Sequence, residues 1–340
     1  MRTNHPKLPD GLAVRPATMD DADAVTDLLN ACSTAAVGRA TSDADEQRSF
    51  WRSPYLNPET NCLVALDGDA VVGYASAWIE PPAVSVYASA RVRPEAAGRG
   101  LGTYLAAWTE ELARARARVV APEGARIVIQ QVRPATHTTA GRLLEGRGYR
   151  DVRHSYRMRI ELDGEPPEPQ FPPGIEMQGF DRTNQLRTLV QAEKDIFRDH
   201  WGFVELDFEQ DVKAWEQWID DDPHHKPEIW FLAMDGDEIA GVCLCSDFMA
   251  EDPWMGYVES LGVQRAWRRK GLGLAMLHYA FRHFRREGKT SVTLDVDAQS
   301  LTGATRLYEK AGMHVEREDV TFELVLREGK DLTTQVLEAT

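Results

Sequence analysis

The strongest constraint on the fold is that the two halves of the chain repeat each other. An Asp-Gly-Asp turn at 67–69 precedes Val71, Val72 and Gly73, and the same turn at 235–237 precedes Ile239, Ala240 and Gly241, an offset of 168 residues. Arg99-Gly100-Leu101-Gly102 matches Lys270-Gly271-Leu272-Gly273 at an offset of 171. Thr138, Ala140, Arg142, Leu143, Glu145 and Gly148 match Thr302, Ala304, Arg306, Leu307, Glu309 and Gly312 at 164. Three blocks in one order with small drifts indicate duplication, and half of 340 residues is an ordinary domain size. Residues 161–173, ELDGEPPEPQFPP, hold five prolines and four acids and read as a stiff, unpacked spacer. The expected domains are therefore residues 1–160 and 174–340, joined by 161–173.

Each half reads as helices, strands, a glycine-rich turn into a helix, a strand, a short helix and a last strand. In the second half the strands are expected at 229–235, 238–247, 256–264, 290–296 and 314–326. Leu274, Leu277, Phe281 and Phe284 recur at helical spacing after the turn, as Leu101, Leu105, Trp108 and Leu112 do in the first half. The pattern is mixed α/β.

Charge and cysteine content narrow the function. There are 39 basic and 54 acidic side chains, a formal charge of −15, which disfavours nucleic acid and anionic membranes as partners. The best apolar stretch, 70–90, is interrupted by Glu80, Pro81 and Pro82 and reads as two strands around a turn, and no run has the ~18 residues of a membrane helix. The segment MRTNHPKLPD lacks the apolar region of a secretory signal, so a soluble cytoplasmic protein is expected. Cys32, Cys62, Cys243 and Cys245 are too scattered for a disulfide framework. Cys243 and Cys245 alternate on one strand face as buried thiols, and no histidine or cysteine spacing points to a metal.

The segment Val263-Gln-Arg-Ala-Trp-Arg268-Arg269-Lys270-Gly271-Leu272-Gly273 runs from a strand into a helix. Glycines at 271 and 273 let successive backbone N–H groups point at a ligand, and the helix N-terminus adds partial positive charge. Arg268, Arg269 and Lys270 would strengthen a diphosphate site there. Neither the Walker spacing nor the third glycine of a dinucleotide fingerprint is present. ArgArgLysGlyLeuGly resembles the RxxGxG acyl-CoA turn of the GNAT N-acetyltransferase superfamily. ThrGlyAlaThrArgLeuTyrGluLysAlaGlyMet at 302–313 resembles its second signature, a short helix carrying a Leu-Tyr pair. Both signatures recur in weaker form in the first half. The resemblance thus covers nearly the whole chain, which looks like a tandem GNAT protein of the mycothiol synthase subgroup.

That resemblance implies two tandem domains, each a mixed, mostly antiparallel twisted sheet flanked by helices. It implies acetyl-CoA in a split between two parallel strands, with its pyrophosphate on the turn. The arm would lie along backbone groups of Leu261, Gly262 and Val263, the phosphates on residues 268–273 including Leu272. Ser300 stands where many relatives place an asparagine on the cofactor arm. The amine attacks directly, in a ternary complex. An alkylammonium of pKa ~10.4 must lose its proton, at ~4.6 kcal/mol at pH 7. Glu259, two residues before Leu261, is the candidate base, and Tyr308 matches the family's acid for the departing thiolate.

In the first half Ala88, Ala97 and Leu144 stand where the offsets place Glu259, Arg268 and Tyr308. Val92, Gly98, Arg99, Gly100 and Gly102 remain as a second cofactor site without proton-transfer groups. The expected function is acetylation of a small-molecule primary amine by the second half. The alternatives are a protein or peptide amine as acceptor, or a non-catalytic acyl-CoA-binding module. Acceptor recognition is expected from Glu193, Asp199, His200 and Trp201, and the chain is expected to be a monomer or homodimer. The sequence 220–225, DDDPHH, reads as an exposed helix end and turn above Trp215 and Trp218.

Overall fold

The repeat sets up two strand-and-helix units of the same design. The computed structural model describes residues 6–221, 224–300 and 303–334. In the first half β1 (Leu12–Pro16) leads into α1 (Ala22–Val37), α2 (Ala44–Arg52) and the single turn α3 (Pro58–Asn61). Then follow β2 (Cys62–Asp67), β3 (Ala70–Trp78), β4 (Ser85–Val92), α4 (Leu101–Val120), β5 (Ile127–Pro134), α5 (Thr138–Gly146) and β6 (Arg150–Glu161). The second half runs through β7 (Ile175–Gly179), α6 (Arg182–Phe197), α7 (Phe208–Asp221), β8 (Trp230–Asp235), β9 (Glu238–Ser246), β10 (Met255–Val263), α8 (Leu272–Arg286), β11 (Ser291–Asp297), α9 (Ala304–Lys310) and β12 (His314–Arg327). The five strands expected in this half fall within two residues of those bounds at each end.

In each unit the strands are antiparallel except for one parallel pair. In the first, Ser85–Tyr87 of β4 pair with Val128–Gln130 of β5. In the second, Met255–Tyr257 of β10 pair with Ser291–Thr293 of β11. Each parallel ladder stops after three residues, and the strands then part. Packing explains the repeated glycine after the Asp-Gly-Asp turn. A Cβ at Gly73 would sit 3.0 Å from Leu101 and Leu105, and one at Gly241 would sit 2.9 Å from Met276. The helix after the glycine-rich turn lies directly on these bare backbones. Leu277, Phe281 and Phe284 of α8 are fully buried against the strands of the second unit, whereas Leu274 is only partly buried.

The compact units differ from the sequence halves. One unit joins the chain through Arg153 to Asp319–Leu332, and the other takes His154–Glu318. The halves exchange their last strands. Asp319–Arg327 of β12 pairs antiparallel with β5, while Ser155–Glu161 of β6 pairs antiparallel with β11. This exchange explains why residues 161–173 are not an unpacked spacer. Within the second unit the strands run in the order β7-β8-β9-β10-β11-β6, so the chain leaves β6 at one end of that order and must reach β7 at the other. It crosses α8 on the way. Arg282 donates to the Pro166 carbonyl at 3.0 Å and ion-pairs with Glu165 and Glu168, and Phe171 packs edge-on against Tyr279.

Two further expectations meet the packing. Cys243 and Cys245 share one buried face, their sulfurs 3.8 Å apart. Of the tryptophans expected beneath 220–225, Trp218 is 40% exposed and stacks on fully buried Trp230, while Trp215 is partly buried; Asp222 and Pro223 lie outside the described residues.

Strand exchange makes a specific prediction for truncation. A chain ending at Glu318 lacks the strand that completes the first unit, including the Arg126–Glu323 pair and the buried Phe322. Its melting curve, followed by circular dichroism, should show loss or early melting of one unit. A transition unchanged from that of the full chain would contradict the exchange.

Candidate active site

Where β10 and β11 part, residues 258–261 and 294–297 line opposite walls of a cavity of ≈ 170 Å³. Phe197, Asp199, His200 and Trp201, from the end of α6 and the segment after it, close one side, and Ser300 and Tyr308 close another. Glu259 and Tyr308, expected from opposite ends of the reaction, therefore share one cavity. The register explains how Glu259 gets there. Against β9, Val258 pairs with Cys245 and Ser260 with Leu244, so Glu259 is the extra residue of a β-bulge, a feature that re-aims side chains. The corresponding strand β4 pairs with β3 without interruption from Tyr87 to Val92. Ala88 is thus not a substituted Glu259; the first unit lacks the inserted residue altogether.

Tyr308 is 7% exposed on α9, and burial raises its pKa, so the phenol is protonated at neutral pH. Ser300 has a local task besides lining the cavity, because its Oγ accepts from the Ala304 N–H at 3.4 Å at the start of α9. Thr302 of the second signature lies outside the described residues.

The glycine-rich turn has the expected backbone but a different division of labour among its side chains. Gly271 (φ +87°) and Arg269 (φ +62°) take left-handed conformations, and nothing lies within 4 Å of where a Gly271 Cβ would be. This is an open cradle ahead of α8. Gly273 instead faces inward, where a Cβ would lie 3.1 Å from Leu307, so its smallness serves helix packing. A Cβ at Gly262 would meet Ile196 at 2.2 Å, which requires glycine where α6 crosses β10. Leu261 and Val263 pair with Cys243 and Gly241 of β9.

Arg268, expected on the phosphates, turns inward. It donates to the Val263 carbonyl at 2.9 Å, to Asp199 at 2.8 Å and to the Ile196 carbonyl at 3.1 Å. Asp199, expected on the acceptor, is 4% exposed and held by Arg265 as well as Arg268, which pull its pKa down to about 2. The pair fastens the end of α6 to the turn. Arg269 and Lys270 are the exposed cations left to meet a phosphate.

Glu193 reaches the cavity wall indirectly. Its Oε1 accepts from the Ser260 hydroxyl at 2.8 Å, and burial raises its pKa to about 7. His200 packs edge-on to Phe197, with its pKa lowered by partial desolvation and by Arg268. Sequence reasoning missed Asp295 and Asp297, although acids at alternate positions of a strand otherwise buried (TLDVD) are a readable signal. Asp295 accepts from Arg157 at 2.8 Å and from Tyr257 at 3.1 Å. Arg157 lies on the exchanged strand β6, a source no local pattern reveals.

A family profile described as the acetyltransferase (GNAT) family matches residues 22–137 and 187–313. The chain belongs to the GNAT acetyltransferase family. Among relatives of this acetyltransferase, the mycothiol acetyltransferase of Nocardia farcinica is 30% identical over 313 residues, 89% of this chain and 94% of that one. The mycothiol acetyltransferase of Streptomyces coelicolor is 27% identical over 313 residues, covering 90% and 92%. Among solved structures, a GCN5-related N-acetyltransferase from Sphaerobacter thermophilus is 33% identical with a TM-score of 0.80, covering 97% of this acetyltransferase and 100% of that chain. A tandem GNAT protein from the clavulanic acid biosynthesis pathway shares the fold at 16% identity, with a TM-score of 0.71 over 94% and 100% of the two chains. No helix among the described residues is long and apolar enough to cross a membrane.

The raised Glu193 pKa fixes a pH dependence. Between the ordinary carboxyl value and about 7 the folded protein binds a proton that the unfolded chain releases, so stability falls as pH rises through that window. Glu193→Gln removes the effect. Relative to the parent it should gain stability at pH 8, by roughly 2 kcal/mol after allowance for partial solvent access, and gain little at pH 5. Equal gains at both pH values in denaturant titrations would contradict the assignment.

Proposed function

We propose that the second unit transfers an acetyl group from acetyl-CoA to the primary amine of a small molecule, in a ternary complex without an acyl-enzyme. The observation that carries this reading is that Glu259 and Tyr308 face one cavity at the parting of β10 and β11. The residues present fit acetyl-CoA. The open left-handed cradle at Gly271, the cations Arg269 and Lys270, and the N-terminus of α8 suit a diphosphate. The strand edge freed at 258–261 offers backbone groups to an extended amide arm. When bound there, acetyl-CoA supplies an activated acetyl group.

The chain's own groups then divide the proton work. Glu259 takes the proton that the ammonium must lose, directly or through water, a step whose cost is ~4.6 kcal/mol at pH 7. Tyr308, protonated because it is buried, donates to the leaving thiolate. The cavity lining carries the carboxylates of Glu259 and Asp297 besides Asp295, which Arg157 holds, a set that suits a cationic acceptor better than an anionic one. A cavity of ≈ 170 Å³ suits part of a small molecule better than an open peptide groove would. The relatives named mycothiol acetyltransferases support a small-molecule acceptor.

Steady-state kinetics with acetyl-CoA and a panel of small primary amines that includes mycothiol precursors tests this. Tyr308→Phe should lower kcat by ~10²-fold or more, and Glu259→Gln should lower kcat/KM most at neutral pH, with the loss shrinking as pH rises towards the amine's own pKa and free amine becomes available. Unchanged kcat in Tyr308→Phe would remove Tyr308 from proton transfer. Absence of turnover with every amine, despite acetyl-CoA binding, would favour a binding module.

A further inference from the structure

The first unit carries a chemically different version of the same fork. Beyond the three-residue ladder of β4 and β5, the strands part as β10 and β11 do. Aligned on those ladders and on the glycine turns, Arg91 occupies the place of Gly262 and Arg133 the place of Val296. Two guanidinium groups thus stand where the catalytic unit has a glycine and a valine. Arg133 is 5% exposed, and its side chain spans the fork to donate to the Ala90 carbonyl at 3.2 Å. Its other contacts are the Val132 carbonyl at 2.6 Å and Gln131 Oε1 at 2.5 Å. Arg91 is half-buried, with a single long bond of 3.5 Å to the Ala90 carbonyl. Among the described residues no carboxylate lies within ion-pair distance of either group, although Asp319 is near enough to Arg91 to be felt electrostatically.

Buried guanidinium groups are ordinarily paired, because desolvation is otherwise uncompensated. Here two like charges share one fork whose polar neighbours, the Ala90 and Val132 carbonyls and Gln131, are neutral, and each lacks a counter-charge in contact. Their field reaches His137 over the same fork, whose pKa is lowered by burial and then by Arg133 and Arg91. Arg133 also occupies the Ala90 carbonyl, the counterpart of the Leu261 backbone group that would meet an acyl-CoA arm in the second unit.

We propose that the fork of the first unit is a binding site for a small oxyanion, a carboxylate or phosphate group held between Arg91 and Arg133, rather than a second acyl-CoA cleft. Guanidinium forks match such oxygens bidentately, and a bound oxyanion would supply the missing counter-charge.

The test is thermal unfolding of the intact protein titrated with inorganic phosphate, and in parallel with acetate, at constant ionic strength. A saturable rise in Tm is expected with at least one of them, and the stronger of the two names the oxyanion class. Arg91→Gln and Arg133→Gln should each abolish the rise, whereas Arg118→Gln at the exposed end of α4 should retain it. The half-buried Arg91 variant keeps the test informative if Arg133→Gln fails to fold. No saturable rise with either anion would overturn the proposal. So would a rise retained in Arg91→Gln or lost in Arg118→Gln, which would place the anion outside the fork.

Discussion

Everything distinctive about this protein depends on where one parallel ladder stops. Hydrogen bonding between β10 and β11 holds for three residues, Met255–Tyr257 against Ser291–Thr293, and then ends. Past that point, among the described residues, the ladders of each strand are those on its outer side, β10 to β9 and β11 to β6. The inner edges of a parted pair suit a ligand with amide groups, since buried backbone donors and acceptors require partners. The bulge at Glu259 then directs a carboxylate into the gap, and α9 brings Tyr308 in from the other side. The same three-residue ladder exists in the first unit, but without the bulge and with Arg133 laid across the gap. One backbone plan therefore carries two different sets of side chains, separated by an inserted residue and two arginines.

Supporting the fork takes contributions from distant parts of the chain. The end of α6 is tied to the glycine turn through Asp199 and its two arginines, and Gly262 lets Ile196 approach the strand. On the opposite wall Asp295 is held by Arg157 of β6, which also pairs with Glu251. That strand is encoded at the end of the first half. Exchange of the last strands thus makes the second unit's wall depend on sequence lying before the proline-rich segment.

The repeat, the strand pattern and the glycine turn were all legible in the sequence because each rests on local rules: period-two alternation, helical spacing, and glycine where φ must be positive. Glu259 and Tyr308 are singled out by the family resemblance alone, and what the structure adds is that both line one cavity. What could not be read was which groups would neutralise one another. Arg268 and Asp199 are far apart in sequence, and each looked available for a ligand; three-dimensional proximity commits them to each other. The bulge was invisible because an inserted residue and a shifted offset look alike in a repeat. The exchange of strands was invisible for a similar reason, since β6 and β12 have the same pattern whichever unit they join. Residues 161–173 were misread through composition, which describes how a segment behaves alone and not the helix it must cross.

The central claim is that the first unit retains the turn but not the cleft, and that the second alone handles acetyl-CoA. Calorimetric titration of acetyl-CoA into the full chain, with Gly271→Glu and Gly100→Glu variants alongside, tests it most directly. One site per chain is expected, abolished in Gly271→Glu and intact in Gly100→Glu. Two sites, or a single site lost in Gly100→Glu, would contradict it.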